Sequence, residues 1–217
     1  MGPLRPIDEA LISSRGDAAA RMELEARLAA VLKTGVSRAA KDFVCRKLMV
    51  IGTAASVPAL AALLAEKDHS HMARYALERI GAAEAAAALR DALPKLAGAL
   101  KVGVIGSLGA RRDAASVPLL AGLLGNADTA VACSAALALG AIRTAEASQA
   151  LAKARPSNEQ VKQAVTDSAL ACAEGLLAAG KPAEAQAIYT AYAGADQPKH
   201  VRLAATRGML ACAGKKP

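Results

Sequence analysis

Arg46-Lys47-Leu48-Met49-Val50-Ile51-Gly52-Thr53-Ala54-Ala55-Ser56-Val57-Pro58-Ala59-Leu60-Ala61-Ala62-Leu63-Leu64 decides the fold of this chain. Upstream of Gly52, Ala40, Val44, Leu48 and Ile51 recur four, four and three residues apart, which is one face of a helix. Asp42 and Arg46 stand one turn apart on another face, spaced for a solvated ion pair. Gly52 is placed to end that helix in a left-handed cap. Ser56 is placed to cap a second helix, with Pro58 in its first turn, where a missing N–H costs little. Val57, Leu60, Leu63 and Leu64 supply the second apolar stripe. The unit reads as two short helices and a tight turn, neither able to bury its stripe alone.

The pattern returns three times, at Ala73-Arg74-Tyr75-Ala76-Leu77-Glu78-Arg79-Ile80-Gly81, at Val102 to Gly109 and at Ala135 to Gly140. The glycines Gly52, Gly81, Gly109 and Gly140 fall 29, 28 and 31 residues apart. Each precedes another stripe: Ala85 to Leu93, Ser116-Val117-Pro118 to Leu124, and Ala147 to Leu151. The third unit holds three more residues between its glycine and Ser-Val-Pro than the first. A fixed period near 30 residues is the mark of a stacked solenoid.

Composition agrees. The 217 residues are 54% hydrophobic but only 2% aromatic, with no Trp and one Phe. Alanine and leucine dominate, period-two alternation is scarce, and no sheet is expected. The expected fold is all-α: a right-handed α-solenoid of stacked antiparallel helix pairs. Residues 1–36 form N-terminal capping helices, with Asp17 to Leu32 presenting Met22, Leu24, Leu28 and Val31. Residues 37–155 form four repeats, and residues 156–217 form C-terminal repeats or a cap. There Val161 to Ala179 reads as one long helix. Gly180 to Tyr189 resembles the helix-pair boundary of a tetratricopeptide repeat.

These glycine-ended helix pairs resemble HEAT repeats of the short type also found in phycobilin lyases. A closer likeness is to the HEAT module of large, often exported bacterial proteins. It rests on Ala40-Lys41-Asp42-Phe43-Val44-Cys45-Arg46-Lys47-Leu48, on Ser70 to Leu77 and on Gly103 to Arg112. The resemblance implies a binding scaffold. Met1-Gly2-Pro3-Leu4-Arg5-Pro6-Ile7 has no apolar leader core. The sequence as it stands reads as cytoplasmic; as a module of one of those larger proteins it would be exported.

No catalytic, cofactor-binding or metal-ligating set is expected. Cys45, Cys133, Cys172 and Cys212 make no CxxC pair; Cys45, Cys133 and Cys172 read as small core residues, and a Cys172–Cys212 bridge is open only to an exported chain. His69-Ser70-His71 sits at a turn without the further ligands zinc needs. Gly103 to Gly109 matches neither phosphate-loop pattern, and Gly106 reads as a site of close helix packing. Arg74 and Glu78 are spaced to pair, and Tyr75 is expected to place its ring in the core. No segment is long and apolar enough for a membrane span.

Arg111 and Arg112, in the third unit's insertion, and Arg143, in the matching turn of the next, are the candidate partner-binding residues. Stacked turns form a ridge, and paired guanidinium groups fork to carboxylate or phosphate. The function expected is a non-catalytic scaffold for a protein or peptide partner. The net charge of +8 and pI near 9.5 support a nucleic-acid-binding alternative on a basic face, as in HEAT-type DNA glycosylases. The scarcity of stacking rings argues against it. A lyase or lyase accessory subunit is the remaining alternative.

Overall fold

A computed structural model describes residues 5–214. Among the described residues it holds thirteen α-helices and no strand. The chain divides between Leu96 and Ala97 into two compact units. The first contains α1 (Arg5–Ser13), α2 (Ala18–Leu32), α3 (Arg38–Ile51), α4 (Val57–Ala62), α5 (Ser70–Arg79) and α6 (Ala83–Ala92). The second contains α7 (Gly98–Ala110), α8 (Val117–Gly122), α9 (Thr129–Ile142), α10 (Ala145–Lys153), α11 (Glu159–Ala178), α12 (Pro182–Ala191) and α13 (Lys199–Cys212). The division falls between the second and third repeats. Within each unit, helices stack pair on pair in α-solenoid fashion.

Both expected stripes are buried, except that Ala40 at the start of the first is half-buried. Val44, Leu48 and Ile51 of α3 are in the core with Cys45, as are Val57, Leu60, Leu63 and Leu64 at and after α4. Ser37 caps α3, its hydroxyl accepting the Ala40 N–H at 3.3 Å. Asn158 caps α11 by accepting from Gln160 and Val161.

The joints differ from the expectation. Gly52 is extended, at φ −63° and ψ 140°, rather than left-handed. It is required for space: a β-carbon there would come within 2.8 Å of Ile80 Cδ1 and 2.9 Å of Ser56 Oγ. Ser56 makes no side-chain cap for α4. It closes a single 3-10 turn, Ala54–Ser56, where Thr53 takes the capping role, and its buried hydroxyl donates to the Thr53 carbonyl at 3.1 Å. Ser116 repeats this on Asp113 at 2.7 Å. Gly81 lies just beyond the Ile80 cap of α5. Gly109 and Gly140 are inside α7 and α9, whereas Gly106 faces open space.

Two ion-pair and packing expectations also shift. Asp42 pairs with Arg38 at 3.8 Å rather than with Arg46, and Arg38 also reaches Asp68 at 3.8 Å. Tyr75 stands 38% exposed instead of in the core; the Glu78 charge acts on Arg74, as the spacing implied. His69 pairs with Glu66 at 2.7 Å.

Helix α2 is rotated from the expected face. Leu28, Ala29 and Leu32 are buried, and Met22 is exposed. The face turns because Glu25, 2% exposed, reaches the turn after α3. Its carboxylate accepts the Thr53 N–H at 2.6 Å and the Thr53 hydroxyl at 2.9 and 3.0 Å. A buried carboxylate is tolerated when several donors meet it.

Cys45 and Cys172 are free and buried, while Cys133 and Cys212 are half-buried. Burial, with the charge of Asp42 beside it, pushes the Cys45 thiol up from 9.0 to about 12. Burial pushes Cys172 up to about 11. Iodoacetamide at pH 8 is therefore expected to modify Cys133 and Cys212 well before Cys45 and Cys172, read by peptide mass spectrometry. The two buried thiols hold their protons longer in the folded chain. Their contribution is complete below pH 9 and declines as pH rises toward 11 and 12, so alkali loosens the fold through them.

Candidate functional site

Helices α7, α9 and α11 of the second unit run parallel. Ser134 of α9 donates to the Val102 carbonyl of α7 at 3.3 Å, and further along Gly109 meets Ala138. Next, Gly140 meets Ser168, Cys172 Sγ lies 3.6 Å from the Leu139 carbonyl, and Arg143 meets Gly175. The C-terminal ends of the three helices thus share one edge, and there the sequence-predicted residues sit.

Each end is closed by a residue with positive φ. At α11 it is Gly180, at φ +74°. Gly180 N–H bonds to the Leu177 carbonyl at 3.0 Å and Lys181 N–H to the Leu176 carbonyl at 2.9 Å, a Schellman motif. Helix α7 ends in the same motif: Arg112 N–H bonds to Gly109 O at 2.9 Å and Asp113 N–H to Leu108 O at 3.1 Å. Here the residue at the glycine position is Arg112, at φ 51°. Helix α9 ends on Arg143, at φ 58° and ψ 33°, its N–H bonded to Leu139 O at 3.2 Å. Left-handed arginine is unfavourable relative to glycine because its β-carbon crowds the following carbonyl.

The three arginines are not equivalent. Arg111 is half-buried and engaged within the fold. Arg112 and Arg143 are exposed. The stem of Arg143 lies over Gly175, where a β-carbon would stand 2.8 Å from Arg143 Cβ. Glu146, three residues on, has its carboxylate held below the usual range first by its own backbone N–H and then by the Thr144 hydroxyl, so it serves the start of α10. Lys181 extends the row and pairs with Glu184 at 3.3 Å. Cations here also suit the negative ends of three helix dipoles.

Arg112→Gly and Arg143→Gly are each expected to raise stability by about 1 kcal/mol, through relief of the left-handed conformation. Urea unfolding of each variant beside wild type checks this.

A second kind of site was not legible in the sequence. In the first unit a cavity of about 280 Å³ opens between α4 and α6, lined by Ala61, Leu64, Ala65, Ala88, Ala92 and Leu96. In the second unit a cavity of about 300 Å³ opens between α8 and α10, lined by Ala121, Leu124, Gly125, Ala150 and Pro156 among others. Ala61, Leu64 and Ala65 stand to the first Ser-Val-Pro as Ala121, Leu124 and Gly125 stand to the second. The cavity is thus a product of the repeat. Small residues at the ends of short second helices leave it unfilled.

Among the described residues no group of His, Cys, Asp and Glu could hold a metal ion, and no helix is long and apolar enough to cross a membrane. In the second unit α7, α9 and α11, parallel and each followed by a shorter helix, form a helical repeat. Residues 97–171 match the family model of HEAT repeats. No curated protein matches it. Among solved structures, a crystal structure of an engineered protein is similar at 19% identity, over 88% of this chain and 98% of that chain, with a TM-score of 0.43.

Proposed function

We propose that this protein is a non-catalytic scaffold that binds an acidic segment of a protein or peptide partner along the edge bearing Arg112 and Arg143. The observation that carries the reading is the pair of exposed left-handed arginines closing two neighbouring parallel helices. Glycine closes the third at lower cost. Strained side chains of this kind concentrate where a fold meets a ligand. A guanidinium group at each end offers a planar fork to a carboxylate. HEAT repeats suit such a role, because stacking presents equivalent turns at regular intervals.

The test is partner capture at mild salt with wild-type protein and with the Arg112→Glu/Arg143→Glu double variant. Proteins retained by wild type and lost by the variant, and carrying acidic segments, are the expected result. Equal retention by both, or nothing beyond background on wild type, contradicts the reading.

A further inference from the structure

In the second unit, away from Arg112 and Arg143, the segment Ala154–Arg155–Pro156 separates two open cavities and lines both. One is the apolar cavity of about 300 Å³ between α8 and α10. The other, about 370 Å³, lies between the first turns of α11 and the connection from α12 to α13. Its walls carry Lys162, Thr166, Tyr192 and Asp196. The first is mainly apolar and the second mainly polar, and Arg155 stands on the wall they share. Each approaches the size range of ligand pockets.

Arg155 is fixed in that position. Its Nη1 donates to the Ala152 and Ala154 carbonyls, both at 2.8 Å, closing the end of α10. Those bonds use one nitrogen, and among the described residues Nη2 has no partner. In the polar cavity Lys162 is occupied by Glu159 at 3.2 Å, so Arg155 is the available cation there, while Lys153 lines the other cavity. Tyr192 is half-buried, and burial pushes its phenol up against the opposing effect of the Arg155 charge. Its hydroxyl therefore stays protonated and able to donate.

We propose that this pair of cavities binds an extended peptide segment, with a carboxylate on Arg155 and Tyr192 and an adjacent apolar side chain among Ala121, Leu124 and Ala150. Two adjacent cavities with a shared wall suit a chain, which can place one side chain in each, better than a compact small molecule. The charge on the shared wall sets the requirement for a carboxylate. Small side chains lining the apolar cavity leave room for a leucine-sized group.

The experiment uses the full chain and fluorescein-labelled Gly/Ser peptides, followed by fluorescence anisotropy. One peptide carries Leu-Asp at its centre, one Leu-Asn and one Gly-Asp, all C-terminally amidated. A fourth ends in Leu with a free carboxylate, which separates a side-chain source of the charge from a chain terminus. Leu-Asp or the free-acid peptide is expected to bind, and the peptides lacking either feature to bind at least about tenfold more weakly. Ala150→Trp fills the apolar cavity and is expected to abolish binding. Ala121→Trp blocks the same cavity and replaces it if Ala150→Trp lowers the melting temperature. Tyr192→Phe, which keeps the ring, is expected to weaken binding severalfold. Arg112→Glu/Arg143→Glu is expected to leave it unchanged, which separates these cavities from the arginine edge. Absence of binding, equal binding of Leu-Asn, indifference to a folded tryptophan variant, or loss in the Arg112/Arg143 variant overturns the proposal.

Discussion

Gly140→Val is expected to lower stability by about 3 kcal/mol, the upper part of the usual range for overpacking. Gly140 lies in the last turns of α9, where α11 crosses closely. A β-carbon there would stand 2.8 Å from Ser168 Cβ and 2.9 Å from Ser168 Cα. Backbone of a neighbouring helix cannot yield as a flexible side-chain tip does, so α9 and α11 must separate. Gly109→Val meets the same obstacle at Ala138, whose Cα would lie 2.9 Å away. The control is Gly106→Ala in α7, where nothing lies within 4 Å of the added carbon. It removes a flexible residue from a helix interior and is expected to add about 0.5–1 kcal/mol. Urea unfolding separates the two effects. The valine variants should shift the midpoint down and the alanine variant up, with slopes unchanged. Opposite behaviour of glycines in similar sequence surroundings would show that helix approach, not helix propensity, sets their role.

Glu25→Ala is expected to cost about 3 kcal/mol, because one buried carboxylate takes both donors of Thr53, the N–H at 2.6 Å and the hydroxyl shared between its oxygens at 2.9 and 3.0 Å. Bonds to a charged group contribute roughly 1.5–3 kcal/mol each, and the set is not additive. Truncation also leaves the Thr53 N–H without its acceptor. Glu25→Gln keeps the shape and one acceptor oxygen, and is expected to cost about half as much. Hydrogen exchange reports the cause directly: the Thr53 amide should exchange much faster in Glu25→Ala, ahead of any global change. Similar stability of Glu25→Ala and wild type would mean that α2 is held by Leu28, Ala29 and Leu32 alone.

The repeat was legible because its signal is redundant. Val44, Leu48 and Ile51, then Val57, Leu60 and Leu64, repeat a period that only helices can bury, and all six are buried. The glycines were harder, since one residue type serves two physical needs. Gly52, Gly109 and Gly140 mark close approach rather than left-handed backbone. The left-handed positions went instead to Arg112 and Arg143, which no pattern of side chains marks. The arginines were visible as charge in a turn, but their conformation and the engaged state of Arg111 belong to the folded chain. Glu25 had a visible signal that helical spacing alone could not rank: it stands three, four and seven residues before Leu28, Ala29 and Leu32. The cavities at Arg155 had none. Their walls come from α8, α10, α11 and the α12–α13 connection, and only stacking brings them together.

The most direct measurement of the central claim is a fluorescence-anisotropy titration with a labelled Glu-rich peptide and with double-stranded DNA, at low and physiological salt. Wild-type protein is expected to bind the acidic peptide at physiological salt. The Arg112→Glu/Arg143→Glu variant is expected to bind at least about tenfold more weakly, a loss of about 1.4 kcal/mol. DNA binding is expected to be weak and to vanish as salt rises, as counterion release requires for scattered contacts. Peptide binding unaffected by the double reversal, or DNA binding that persists at physiological salt and exceeds that of the peptide, would contradict the account.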